Sequence, residues 1–184
     1  MSTVTTSPSP LSSLQLKARI AGGLYLFTVL TAALGEGYLH GRLAYAVGLI
    51  AVAGMVVVTI LVYMILRPVD KNLIFLATTI NLVSCLFEAG RFSPQGVDIA
   101  VVMTGFYCLL IAIVLLRATF LPRLLALAMA IAGLGWLSFM SPSLASRLSP
   151  WNLACGLIGE AAFFLWLLLK GIDTQRWQQQ NDAR

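Results

Sequence analysis

Six runs of apolar residues, separated by short polar stretches, set the pattern of this chain. They extend from about Ile20 to Leu39, Leu43 to Leu66, Leu73 to Ala89, Ile99 to Leu116, Leu121 to Met140 and Leu153 to Leu169. The second run contains no charged residue. About 20 apolar residues, rising 1.5 Å each, cross the roughly 30 Å hydrocarbon core of a bilayer as a helix. Each run is about twice the length a barrel strand needs and lacks apolar–polar alternation, so α-helices are predicted. Breakers stand at the joints: Arg67-Pro68-Val69-Asp70, Phe92-Ser93-Pro94-Gln95-Gly96, Leu121-Pro122, and Ser141-Pro142 through Ser149-Pro150. The fold class that follows is all-α, a polytopic transmembrane bundle of about six helices.

Composition strengthens this reading. Apolar residues make up 59% of the 184 and charged residues only 10%, against about 25% charged in an ordinary soluble domain. A chain of this size cannot hide so much apolar surface from water. The expected organisation is a Ser-, Thr- and Pro-rich disordered tail over residues 1–16, a six-helix domain over 17–172, and a short tail over 173–184. The first run is read as a retained helix, because no convincing cleavage site follows it.

The net charge of +5 changes the picture by its distribution. Lys and Arg stand singly at the ends of apolar runs, the pattern of membrane-interface cations rather than of a nucleic-acid surface. On the N-terminal side of the predicted bundle lie Lys17, Arg19, Arg67, Lys71, Arg117, Arg123, Lys170, Arg176 and Arg184, nine in all; the opposite side holds three, Arg42, Arg91 and Arg147. This asymmetry predicts that both termini are cytoplasmic, in a multi-pass protein of the cell membrane. Trp136, Trp151 and Trp177 lie near run ends and read as interfacial anchors. Small residues at four-residue spacing, Ala33, Gly37 and Gly41, suggest close helix packing there.

Candidate chemistry is confined to a few polar groups. Cys85, Cys108 and Cys155 lie within apolar runs without C-x-x-C spacing, and one histidine, His40, is too few for a zinc or bis-His haem site. No metal or cofactor is expected. Walker A, G-x-S-x-G, H-E-x-x-H and Asp-rich diphosphate motifs are absent. Glu36, Glu88 and Glu160, by contrast, fall inside or at the ends of apolar runs, in the half of the bilayer away from the termini. A charge at membrane depth costs roughly 2.5–3.5 kcal/mol on insertion scales, so such carboxylates are functional candidates by default. Glu160 is the sharpest, lying near the middle of the sixth run on a face with Asn152, Gly156 and Gly159. The third run carries a stripe of Thr78, Asn81, Cys85 and Glu88, with Ser84 alongside and Arg91 one turn beyond; the fourth adds Thr104, Tyr107 and Cys108. Two readings are open. Structurally, Glu88 pairs with Arg91, Glu36 with His40, and a protonated Glu160 bonds Asn81 or a hydroxyl. Functionally, Glu36, Asn81, Glu88, Arg91, Tyr107 and Glu160 line a cavity facing the non-terminal side.

Several pieces together resemble a known family. They are Ala18-Arg19-Ile20-Ala21-Gly22-Gly23-Leu24-Tyr25, Leu66-Arg67-Pro68-Val69-Asp70-Lys71-Asn72-Leu73, Leu121-Pro122-Arg123, and Gly159-Glu160 followed by Leu165-Trp166-Leu167-Leu168-Leu169-Lys170-Gly171. The family is a bacterial integral membrane family catalogued as domain of unknown function 4386, and the resemblance runs from about Arg19 to Gly171. It implies a compact multi-helix inner-membrane protein and no particular activity. The first outer loop, His40 to Arg42, is shorter than the family's. The functional expectation is a non-enzymatic transporter, sensor or complex partner with a carboxylate site for a lipid-soluble or small cationic ligand. The alternative is a membrane enzyme using Glu160 as general acid on an isoprenoid, quinone or acyl substrate.

Overall fold

A computed structural model describes residues 10–183, the side chains of residues 10–12, Glu36 and Gln95 excepted. It contains eight α-helices: α1 (Pro10–Tyr38), α2 (Gly41–Leu66), α3 (Lys71–Ala89), α4 (Ile99–Arg117), α5 (Arg123–Leu137), α6 (Pro142–Leu148), α7 (Trp151–Leu169) and α8 (Thr174–Asp182). Single 3₁₀ turns stand at Pro94–Gly96 and Ser138–Met140. Six helices, α1 to α5 and α7, are long and apolar enough to cross a membrane, matching the six predicted runs. The short α6 joins α5 to α7 and lies where a loop was expected.

The spans form a closed ring. Each packs on the next in chain order, with α7 following α5, and α7 returns to pack on α1. Half of the interior, toward the termini, is solid: Val62, Ile65, Ile74, Ile111, Leu115, Met129, Phe163 and Leu167 are at most 1% exposed. The other half, here called distal, is hollow.

Three aspartates end the polar joints by capping. Asp70 accepts from Leu73 N, Asp98 from Val101 N, and Asp173 from Gln175 N and Arg176 N, each satisfying an orphan donor of α3, α4 or α8. Asp70 also meets Arg117 at 2.6 Å, tying the α2–α3 turn to the end of α4.

Helix extends into both expected tails. α1 begins at Pro10, so residues 10–16 are helical, while residues 1–9 lie outside the described part. The cause is tertiary: Leu14 is buried, and the Gln15 amide donates to the Lys170 carbonyl while its oxygen accepts from Ile172 N. At the other end, residues 174–182 form a docked helix. Trp177 Nε1 donates to the Ile65 carbonyl at 2.8 Å, and Gln180 bonds Arg117 O and Thr119.

The close helix contacts also lie elsewhere than expected. A Cβ at Gly37 or Gly41 would meet nothing within 4 Å, and Gly41 is there for its φ of +64° in the tight α1–α2 link. The backbones come together instead at Gly22, against Phe164 and Leu168, and at Gly159, against the Ala128 carbonyl.

Candidate functional site

Glu160 sits midway along α7 and is 6% exposed. Three helices send a donor to its carboxyl group. Tyr25 Oη from α1 donates to Oε2 at 2.5 Å, Trp136 Nε1 from α5 donates to Oε1 at 2.8 Å, and Cys108 Sγ from α4 donates to Oε1 at 3.1 Å. The carboxyl is thus the meeting point of four spans. Its neighbours on α7 hold the donors in place. Phe164, one turn on, stacks on Tyr25 with centroids 3.9 Å apart and rings 11° from parallel. Gly156, one turn back, lacks the side chain that would collide with the Trp136 indole, so the ring lies against α7 and reaches the carboxyl. Asn152 continues this face, donating to Ser138 Oγ and the Ala145 carbonyl and so holding the α5–α7 connection.

Glu160, Tyr25 and Trp136 form the floor of a cavity of about 690 Å³ in the distal half of the ring. Its walls are small or apolar, including Val29, Ala32, Gly48, Ala51, Met55 and Leu157. Its charged and titratable rim is His40, Glu88, Arg91 and Asp98, at the distal ends of α1 to α4. Arg91 has a φ of +49° just past α3, and its guanidinium lies 5.2 Å from the Tyr45 ring centroid on α2. Tyr45 in turn donates to the Ala89 carbonyl. This aromatic–cation contact links α2 to α3 at the mouth.

The predicted residues therefore divide. Glu88, Arg91 and Glu160 share the cavity, the first two at the rim and the third at the floor. Asn81 is 3% exposed but donates to Thr59 Oγ1 at 2.7 Å rather than to Glu160. The hydroxyl that bonds Glu160 is Tyr25's. Tyr107 is buried, and its neighbour Cys108 makes the contact to the carboxyl. Glu36 falls near the end of α1, its side chain outside the described residues, as is its expected pairing with His40. The third-run stripe faces inward at Asn81, Ser84 and Cys85, and Ser84 Oγ donates to the Ala100 carbonyl across to α4.

Sequence reasoning placed Trp136 at the interface as an anchor; the structure turns its indole onto Glu160. Helix direction explains the difference. Side chains tilt toward their helix N-terminus, so Trp136 leans from the distal end of α5 toward mid-bundle, while Glu160 on antiparallel α7 leans to meet it. Tyr25 stands five residues into the predicted first run, where a tyrosine reads as part of an interfacial belt; the observed span, Ser13–Gly35, puts it at mid-depth, where its hydroxyl needs a partner.

Six spans around an internal polar centre define a multi-pass α-helical membrane protein. Within that class, residues 89–171 match the model of the family described as Domain of unknown function (DUF4386). The match runs from the end of α3 through α7, taking in Cys108, Trp136 and Glu160; the resembling pieces around Arg19 and Arg67 lie outside it. No curated protein and no solved structure matches the chain.

Proposed function

We propose that this is a ligand-binding protein of the cell membrane, of transporter or sensor type, which takes a cationic small molecule with an apolar body into the distal cavity. The observation that carries this is the Glu160 carboxyl at the floor of an apolar cavity, bordered by the Tyr25 and Trp136 rings. A carboxylate beside the half-buried Trp136 indole suits an organic cation, and about 690 Å³ lies within the usual 300–1,000 Å³ of small-molecule sites. A carboxylate has about four lone-pair sites. Three are taken by Tyr25, Trp136 and Cys108, which leaves one for the ligand.

The nine-to-three Lys and Arg asymmetry supports cytoplasmic termini, with the cavity mouth outside.

The test is calorimetric titration of the purified protein with tetraphenylphosphonium and with a neutral tetraphenyl analogue. Saturable binding of the cation, weakened at least tenfold by Glu160→Gln, is expected. Equal binding of the neutral analogue, or full binding to the Gln variant, would remove the cationic-ligand reading.

A further inference from the structure

We infer that the Glu160 cavity exchanges its cationic ligand for a proton, one for one, at the same carboxyl group. The inference rests on the binding reading above and adds the coupled ion. It comes from the closed count of partners around the carboxyl. Tyr25 from α1, Cys108 from α4 and Trp136 from α5 all approach as neutral donors. No ion pair to Glu160 exists among the described residues.

The other charged or titratable groups do not compensate it. Around the floor, α4 adds Tyr107 and α3 adds Cys85, both buried; on α2 the buried Thr59 hydroxyl accepts from Asn81. On α7 itself Cys155 lies more than one turn toward the distal end. Among the described side chains, the charges of the cavity, Glu88, Arg91 and Asp98, and the His40 imidazole, are at the rim. Glu160 lies midway along α7 and Arg91 beyond the distal end of α3, so a helical half-length separates floor from rim.

An uncompensated charge at this depth is costly. Two species can neutralise it at the one open lone-pair site: a proton, or the positive charge of a ligand. They cannot occupy it together. Arrival of the cation therefore sends the carboxyl proton to the cavity water, and departure of the cation takes a proton back. Charge balances at each step: the carboxyl O–H breaks, H⁺ leaves, and the carboxylate pairs with the cation. Because the cavity opens at the distal end, both species use the same mouth.

The experiment is titration of tetraphenylphosphonium chloride into the full-length protein in detergent, weakly buffered, at several pH values between about 5 and 9, with released protons read by an indicator dye. The expected result is close to one proton released per cation bound at the acid end, falling toward none at the alkaline end. Affinity should weaken about tenfold for each unit the pH falls over the range where release occurs, as one-proton linkage requires. Saturable binding without release at any pH overturns the exchange and leaves the binding reading standing. Absence of binding by this cation and by smaller quaternary ammonium probes overturns both. In Glu160→Gln, residual cation binding should release nothing; release that persists there assigns the proton to a rim group such as His40 and sinks the inference. The wild-type measurement decides even if that variant does not fold.

Discussion

Each of the three donors around Glu160 makes a different contribution, and chemistry ranks them. Tyr25 is a buried hydroxyl whose ring is fixed by stacking on Phe164, so Tyr25→Phe removes one hydrogen bond with little change in packing. Bonds to a charged or polar partner inside a membrane bundle are worth about 1–2 kcal/mol. Tyr25→Phe should lower stability by that amount in an SDS-unfolding titration. Cys108 contributes a weak S–H donor from a fully buried position. Cys108→Ser supplies a stronger donor of similar size and should stay within about 1 kcal/mol of the parent. If Tyr25→Phe is neutral and Cys108→Ser is severe, the polar centre is organised by the thiol and the hydrogen-bond scheme above is wrong.

At the level of the helix, the site depends on how closely α5 and α7 approach. Gly159 faces the Ala128 carbonyl, and an added methyl there meets backbone, which cannot swing aside as a side-chain tip would. Gly159→Ala should therefore force α5 and α7 apart and destabilise the protein by about 1–3 kcal/mol. It should also redden Trp136 emission as the indole leaves Glu160; the same substitution in a Trp136→Phe background separates that signal from the other tryptophans. Gly37→Ala is the control, since nothing lies within 4 Å of its added methyl, and the better helix former should be neutral or slightly stabilising. Equal losses at both positions would mean that glycine spacing, not this contact, governs packing. These two glycines also show where sequence reading stopped. A glycine pattern within one helix marks positions that permit a close approach, but the partner helix decides which are used. Gly37 fits the spacing and stands open, whereas Gly159, beside Glu160 in the sequence, is the true contact.

For the molecule as a whole, the spans were legible because a bilayer imposes a length and a composition on every crossing, and Glu160 was legible because it violates that composition. Its partners were not. Trp136 and Tyr25 meet it from chain positions 24 and 135 residues away, through a ring closed by α7 on α1 that no local pattern encodes. The same holds for the helical ends at residues 10–16 and 174–182, whose polar composition resembles a tail until Gln15 and Trp177 find backbone partners.

Orientation bears directly on function, because the charged rim of the cavity lies at the end of the bundle away from Pro10 and Asp182. With cytoplasmic termini, a cation enters from outside and descends part of the way through the membrane field. At about 2.3 kcal/mol per charge per 100 mV for a full crossing, an inside-negative potential favours that descent. With the reverse orientation the field opposes entry, and the site suits a ligand delivered from the cytoplasm. Fusion reporters decide between them. A fluorescent protein after residue 184 should glow, and alkaline phosphatase inserted in the 93–96 link, which needs an oxidising compartment for its disulfides, should be active. The opposite pair of results would turn the mouth to the cytoplasm and reverse the direction from which the cation is drawn.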